Sequence, residues 1–260
     1  MSKSVCQKII FNFESEFPSK FLTSQWQRDE KSSFYVIYRV VIAIFYNFSF
    51  LESIIYSIQY DNVLLSLIYL TRMNLFVTTI TCNIGAYYVI QFYRGKLKSL
   101  DRMTSGLKFY WFLYIGILPF ACVVSGIYWT LLFHKSDDVL NLNNVLVHVT
   151  NSLVLFIDLF FIQHEYRIAH MIYPMITGIL YLAFTVIYPL LGGLDRYGNN
   201  YVYIILNWKE DPTSAFIIGA SAVVFLGICH ISFCAIAHVK ALIYESCSLK
   251  CKSYMCKGSA

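Results

Sequence analysis

Six continuous apolar segments, each long enough to cross a lipid bilayer as a helix, constrain this chain more than any other feature. About 20 residues rising about 1.5 Å each are needed to cross roughly 30 Å of hydrocarbon. Soluble domains have about 25% charged residues, whereas 13% of these residues are charged and 58% are apolar. The predicted spans are residues 34–58, 63–91, 108–133, 140–162, 168–191 and 215–239.

The fold prediction is therefore an all-α polytopic membrane helix bundle with six transmembrane helices. It places the six-helix domain at residues 34–239, between a cytoplasmic lead at 1–33 and a Cys/Lys-rich cytoplasmic tail at 240–260. The spacing of the apolar runs shows no internal repeat, so one membrane domain accounts for the whole chain.

The positions of the basic residues predict the orientation. Sixteen of the 20 Lys and Arg residues lie in or next to the lead, the second connection, the fourth connection or the tail. Lys135, Arg196 and Lys209 fall on the opposite side, and Arg72 lies inside the second span. Because cytoplasmic connections carry the excess of Lys and Arg, both termini are predicted to be cytoplasmic. Anionic membrane lipid is the expected counter-charge for the net +5, and no nucleic-acid partner is predicted.

The fourth span carries its polar residues on one stripe. At 100° per residue, Asn144, Asn151, Ser152 and Asp158 all lie within about 80° of His148. Polar groups are costly against lipid, so this stripe is predicted to face other helices. Asp158 is predicted to form a structural pair near the inner surface, with Arg39, Arg167 or His170 as the alternative partners.

A second stripe of small and polar residues follows the second span. It starts at Thr71 and includes Asn74, Thr78, Thr81, Cys82 and Gly85. Arg72 lies about 100° from Thr71 around this helix. Glu52 of the first span is predicted at a similar depth, which favours an outer Glu52–Arg72 pair.

Thr71 and His148 are the candidate catalytic residues. Each is predicted about eight residues below the outer end of its span, hence roughly 12 Å deep. A hydroxyl beside an imidazole is the minimal arrangement for nucleophilic acyl transfer, and a membrane supplies lipid esters. Glu52 or Asn144 could orient the imidazole. A structural interpretation stays open, because threonine often bonds its own helix backbone and a buried histidine often bridges helices.

Other motifs are few. No metal site is predicted, since the sequence lacks CxxC and HExxH spacing, and no cofactor is predicted without a glycine-rich phosphate loop. In the tail, Cys247, Cys251 and Cys256 lie among lysines, which suits reversible palmitoylation as an alternative to free thiols. The long aromatic connection from Gly192 to Pro212 is predicted to cap the outer mouth of the bundle.

Several segments resemble the rolling stone family of insect and other animal proteins. They are HVTNSLVLFIDLFF, YRIAHMIYPMITGILYLAFTVIY and GGLDRYGNNYVYIILNW, preceded in the same order by SQWQRDE and IYLTRMN. The resemblance implies a multi-pass membrane protein that acts in myoblast fusion during muscle development. Such a role favours the plasma membrane over the endoplasmic reticulum and implies a cell-surface protein partner.

Rolling stone proteins are in turn distantly similar to the androgen-induced family of transmembrane hydrolases. Those enzymes cleave fatty acid esters of hydroxy fatty acids with a threonine and a histidine, and Thr71 and His148 match that pair. The alternative function is thus an intramembrane hydrolase of fatty acid ester lipids. Its supporting polar network would be Glu52, Arg72, Asn74, Asn144, Asn151 and Ser152.

Overall fold

The structure is a computed structural model that describes residues 11–60, 62–97, 101–133 and 140–257, with the side chains of the last helix described up to Cys247. Six helices in these residues are long and apolar enough to cross a membrane, which confirms the predicted number of spans. We name them α1 to α6 in chain order: Ser33–Tyr60, Leu70–Tyr93, Ser105–Leu132, Leu142–Phe161, Ile168–Leu190 and Pro212–Lys257. We call the end of the bundle where α1 begins the inner end.

Helix α3 is the centre of the bundle and packs against α2, α4, α5 and α6. Its large side chains recur at spacings of three and four residues, so that they line one broad face. The face is fully buried, and its members are Leu107, Tyr110, Trp111, Tyr114, Leu118 and Ala121. Helix α1 packs chiefly against α2, while α5 packs chiefly against α6 and leaves most of its own surface outside the core.

The second span begins later than the sequence predicts. Instead of one helix from residue 63, the chain forms a single turn at Val63–Ser66, breaks, and starts α2 at Leu70. The backbone N–H of Leu70 donates to the hydroxyl oxygens of Tyr181 and Tyr203, each at 2.9 Å. The Tyr181 hydroxyl also donates to the carbonyl of Ile68 at 2.8 Å. Two phenols from distant segments thus satisfy backbone groups that a continuous helix would have paired internally.

The lead folds onto the inner end of the bundle. The Ser24 hydroxyl and the Gln25 backbone N–H donate to the carbonyl of Phe161 at 2.8 and 2.9 Å, and the Trp26 indole donates to Phe160 at 2.7 Å. The side chain of Phe21 is buried in the main core. The described part of the lead therefore closes the inner mouth and covers the polar groups below it.

The last helix also extends beyond its predicted end at residue 239. Lys240, which the sequence assigns to the tail, is a buried residue of α6. Its ammonium group donates to the carbonyl of Leu159 at 2.7 Å and to that of Ile162. A cation at the last carbonyls of α4 is electrostatically favourable because the C-terminal end of a helix carries partial negative charge.

Candidate functional site

A cavity of about 480 Å³ with both polar and apolar side chains in its walls lies at the outer end of the bundle, between α1, α2, α3, α4 and the connection that follows α5. We call it the outer cavity. Thr71 and His148 both line it, together with Arg72 and Asn144 from the predicted network. Other described members of that network lie elsewhere: Glu52, Asn74, Asn151 and Ser152 are not part of this lining.

Thr71 lies at the start of α2 and not deep within a helix. It is the second residue of α2, so the predicted position eight residues below a helix end is wrong, because the break at Leu67–Tyr69 moves the helix start. Thr71 is one of the hydrogen-bonding neighbours of the Tyr203 hydroxyl. Burial raises the pKa of Tyr203, and its hydrogen bonds with Tyr181, Leu70 and Thr71 oppose that rise. Thr71 is therefore held between the cavity and the protonated phenol of the half-buried Tyr203.

His148 is held by an aromatic stack. Its ring lies parallel to that of Tyr128, with ring centroids 3.4 Å apart and planes 2° apart. Both residues lie on π-helical turns, Tyr128–Leu132 in α3 and Leu146–Thr150 in α4. Such single π turns are frequent at functional sites because they redirect side chains without ending the helix. The Nδ1 atom of His148 is buried and has no hydrogen-bond partner among the described residues.

The predicted Glu52–Arg72 pair is not formed between these two described residues. The Arg72 guanidinium instead donates to the carbonyl of Ser53 and to Asn143 Oδ1, both at 3.1 Å. The Oε2 atom of Glu52 is buried and has no hydrogen-bond partner among the residues that the structure describes. Ser53 follows Glu52 in the chain. Its backbone carbonyl accepts a hydrogen bond from Arg72, which the sequence had predicted to pair with the Glu52 carboxylate.

The connection after α5 forms the outer wall of this cavity. The Asp195 carboxylate accepts from the backbone N–H groups of Tyr197 and Asn199 at 2.9 and 2.7 Å, and from Asn199 Nδ2 at 3.0 Å. Gly198 between them has φ +83°, a conformation that favours glycine. Ile205 and Leu206 then bury their side chains against α6. This part of the chain is thus an ordered cover over the cavity that contains Thr71 and His148.

An apolar cavity of about 80 Å³ adjoins the outer cavity. Thr71, Tyr128 and Tyr203 line both, so the candidate nucleophile lies where polar and apolar surroundings meet. The remaining walls of the apolar cavity come mostly from aliphatic and aromatic side chains of α3, α5 and α6. This arrangement can accept a molecule with one polar and one apolar end.

The two polar stripes do face other helices, as predicted. In α2 the buried members are Asn74, Thr78, Thr81, Cys82 and Gly85. In α4 they are Asn144, Asn151 and Asp158. The hydroxyl of Tyr46 donates to the carbonyl of Asn151 at 2.9 Å, and the Ser125 hydroxyl donates to that of Ser152 at 3.0 Å. Most of the stripe residues are therefore buried between helices and do not line the outer cavity.

A buried ion pair occupies the inner half of the bundle. The Arg39 guanidinium donates to both carboxylate oxygens of Asp158 at 3.0 and 2.9 Å. The same carboxylate accepts from the hydroxyls of Tyr38 at 2.9 Å and Tyr114 at 2.6 Å, while Arg39 also donates to Tyr110 at 2.8 Å. The predicted pairing of Asp158 is confirmed for Arg39.

The other two alternatives for Asp158 have different partners. Arg167 forms an ion pair with Glu165 at 2.7 Å, and Nε2 of His170 lies 3.1 Å from the carbonyl of Asn12. His164, in the connection between α4 and α5, is buried. Burial, together with the positive charge of Arg39, holds its pKa well below the ordinary value. A neutral imidazole at this position adds no second positive charge beside Arg39.

Metal ligands do not gather in the described part of the chain: no three His, Cys, Asp or Glu side chains there form a group suited to a metal ion. Among the tail cysteines, Cys247 is a free, exposed thiol at the inner end of α6. The side chains of Cys251 and Cys256 lie outside the described residues. Palmitoylation of these three positions therefore stays a prediction.

Sequence reasoning missed the aromatic residues that shape the site. Tyr128 stacks on His148, and Tyr181 and Tyr203 hold the start of α2 beside Thr71. Tyr and Phe each occur 21 times in this chain, so an aromatic side chain by itself carries no signal. The turn residues YGNN at 197–200 were the one local sign that the connection carrying Tyr203 is ordered.

Comparison with known proteins gives a consistent result along the chain. The model of the family described as "Protein rolling stone" matches residues 2–252. The protein of that name from Drosophila melanogaster is 33% identical over 215 residues, which cover 78% of this chain and 77% of the fly protein. No solved structure matches the chain.

Proposed function

The chain belongs to the rolling stone family, and from that premise we propose that it acts in the plasma membrane in cell–cell fusion of myoblasts during muscle development. The observation that carries this proposal is the 33% identity to the fly protein over most of both chains, together with the six membrane helices. The proposal includes cytoplasmic termini, because Lys and Arg concentrate on that side. Its partner would be a protein on the opposing cell surface.

The connection after α5, which covers the outer cavity, presents the surface for such a partner. Leu191 is 83% exposed and Tyr197 is 72% exposed, and both lie just beyond the outer end of α5. Hydrophobic side chains on an ordered loop are typical of protein contact sites, with aromatic residues often contributing most of the binding energy. The Asp195 hydrogen bonds would hold Tyr197 in place before binding, which reduces the entropy lost on association.

Replacing Tyr197 by aspartate is expected to lower fusion to about half or less, because one central aromatic contact is worth about 2 kcal/mol or more. The measurement is the fraction of nuclei in multinucleate cells after myoblasts depleted of this protein are resupplied with the variant. Surface amounts are matched by labelling of intact cells. The control is Leu64→Asp, which changes another exposed apolar residue near the outer end, on the short helix before α2. Equal fusion with Tyr197→Asp and wild type would contradict a contact at this cover.

A second candidate function is hydrolysis of fatty acid ester lipids, favoured by the shared position of Thr71 and His148 in the outer cavity. In this reaction Thr71 Oγ1 forms a bond to the ester carbonyl carbon and its proton passes to a ring nitrogen of His148. His148 then returns the proton to the departing alcohol oxygen as the ester bond breaks. Water, activated by the same ring, releases the acid from Thr71. The adjoining apolar cavity would hold part of an acyl chain.

A fluorophosphonate probe distinguishes the two functions. If the hydrolase candidate is right, purified protein is labelled, and Thr71→Ala and His148→Ala each reduce labelling at least 100-fold, because the nucleophile and its base act as one unit. Thr177→Ala is the matched control, since this exposed hydroxyl only donates to the backbone of Tyr173 at 3.0 Å. Absence of labelling in folded wild-type protein would exclude the hydrolase and leave the fusion role intact.

A further inference from the structure

A patch of positive charge lies at the inner end of the bundle, where α1 begins and α2 ends. Helix α2 ends at Tyr93, and Gly95 then turns the chain with φ +70°, a conformation that favours glycine. Lys31 precedes α1 by two residues, and its Nζ atom lies 3.4 Å from the position that a Cβ atom on Gly95 would occupy. Arg94 and Lys96 flank Gly95, and both are exposed, as is Lys31. We call Lys31, Arg94 and Lys96 the basic patch.

The basic patch forms no ion pair with any described acidic residue. The ion pairs between described residues join Arg39 to Asp158, Lys108 to Glu14 and Arg167 to Glu165. Asp29 and Glu30 precede Lys31 in the lead, but they line a cavity beside α6 together with Arg28, and Lys31 is not part of that lining. Residues 1–10, 98–100 and 248–260 contain no Asp or Glu, so every acidic side chain of the inner segments belongs to the described residues.

The length of α1 places the basic patch at the level of lipid headgroups. Helix α1 has 28 residues, and at about 1.5 Å each they span about 42 Å, which matches a bilayer with both headgroup layers. Its ends therefore reach the headgroups. Phe34 is 68% exposed and Tyr93 is 42% exposed beside the patch, and exposed aromatic residues at helix ends are typical of the membrane interface.

From these observations we propose that the basic patch binds the headgroup phosphate of an anionic phospholipid in the leaflet at the inner end. Three positive charges around one glycine repel one another, so a bound anion stabilises them. Basic residues next to membrane helices attract anionic headgroups in this way. The phosphate of phosphatidylcholine is a poorer match, because its own choline group already balances the charge.

This binding site does not depend on the proposed function. Thr71 and His148 line the outer cavity, at the opposite end of the bundle from the basic patch. The loss of lipid binding and the loss of fusion or hydrolysis are therefore separate results.

The experiment uses full-length protein in mild detergent, titrated with an equimolar mixture of phosphatidylserine and phosphatidylcholine that carry the same acyl chains. Bound lipids are counted by native mass spectrometry. Each cation near a membrane surface contributes about fivefold to the affinity for an anionic lipid. Phosphatidylserine is therefore expected to bind about tenfold more tightly than phosphatidylcholine, or more. Changing Lys31, Arg94 and Lys96 together to glutamine is expected to abolish this preference.

A second triple variant is the matched control. Changing Lys20, Arg28 and Lys108 to glutamine removes the same charge from the same end of the bundle. These three residues contact other parts of the lead or line the cavity beside α6. The control is expected to lower the affinity for phosphatidylserine less than about threefold, because only the general attraction is reduced. Folding of both triples is checked by titration with sodium dodecyl sulfate, followed by tryptophan fluorescence.

Two further samples test the charge and the source of the phosphate. Lys31→Arg combined with Lys96→Arg keeps both charges and is expected to retain the preference for phosphatidylserine. Glycerophosphoserine, the headgroup without acyl chains, is expected to leave the lipid bound. Displacement of the lipid by an equal concentration of glycerophosphoserine would overturn the choice of a lipid. Equal affinity of wild type for the two phospholipids, or an equal loss in the two folded triple variants, would overturn the site itself.

Discussion

Asp158→Ala is expected to destabilise the folded protein by about 3–5 kcal/mol, because it leaves a buried arginine without its counter-charge. Arg39 and Asp158 are 1% and 0% exposed, and the carboxylate accepts hydrogen bonds from Arg39, Tyr38 and Tyr114. Its removal leaves the hydroxyls of Tyr38 and Tyr114 without their acceptor, and it leaves the Arg39 guanidinium without its acceptor and its counter-charge. The measurement is the free energy of unfolding from titration of purified protein in mild detergent with sodium dodecyl sulfate, followed by tryptophan fluorescence.

Two further variants test the cause. Asp101→Ala removes an exposed carboxylate and is expected to change stability by less than about 0.5 kcal/mol. Arg39→Met combined with Asp158→Leu removes both charges, and this double variant is expected to recover most of the loss. If Asp158→Ala unfolds at the same detergent fraction as Asp101→Ala, the buried pair contributes nothing to stability.

Trp111→Ala is expected to cost about 3–5 kcal/mol and to loosen the lead from the inner end of the bundle. The indole is fully buried, packs against the rings of Phe13 and Phe21, and donates to the carbonyl of Glu165 at 2.9 Å. The Arg167 guanidinium lies 4.6 Å from its ring centroid. Loss of the indole removes the surface on which the lead packs. Stability is measured by the same titration, and release of the lead by its rate of cleavage with trypsin.

The matched control is Trp129→Ala, at the outer end of the same helix. Trp129 is half-buried, and its indole donates a hydrogen bond to the carbonyl of His148 at 3.4 Å. Its loss is expected to leave the cleavage rate of the lead unchanged. Cleavage of the lead at the wild-type rate in Trp111→Ala would show that the lead is held by its backbone hydrogen bonds alone.

The sequence predicted that Asp158 forms a buried pair, but it left three alternative partners open. Asp158 had to be paired because an isolated carboxylate inside a membrane helix is costly. Arg39, Arg167 and His170 were all basic residues near the inner surface. The helix stripe placed Asp158 toward other helices, yet which of them approached it depended on the packing of α1 against α4. Arg39 was selected by this packing and by the hydroxyls of α3 around it.

The candidate site was predictable to a smaller extent. Thr71 and His148 line one cavity, and their catalytic pairing stays a prediction. The helix break that makes Thr71 the second residue of α2 was not predicted. Residues 63–70 are apolar apart from Ser66, so hydropathy gives no reason for a helix break at Leu67–Tyr69. The break is stabilised by hydroxyls of Tyr181 and Tyr203, more than 100 residues away along the chain. No pattern within the second span contains that information.

The sequence by itself determined the six membrane helices and the faces on which their polar residues lie. Both follow from local quantities: the transfer of about 20 consecutive side chains into hydrocarbon and the 100° rotation between neighbouring residues. Only the tertiary structure decided that Arg39 is the partner of Asp158, that α2 begins at Leu70, and that Tyr128 stacks on His148. Each of these depends on which helices pack side by side, and that choice is set by side-chain shape and hydrogen bonding between residues far apart in the chain.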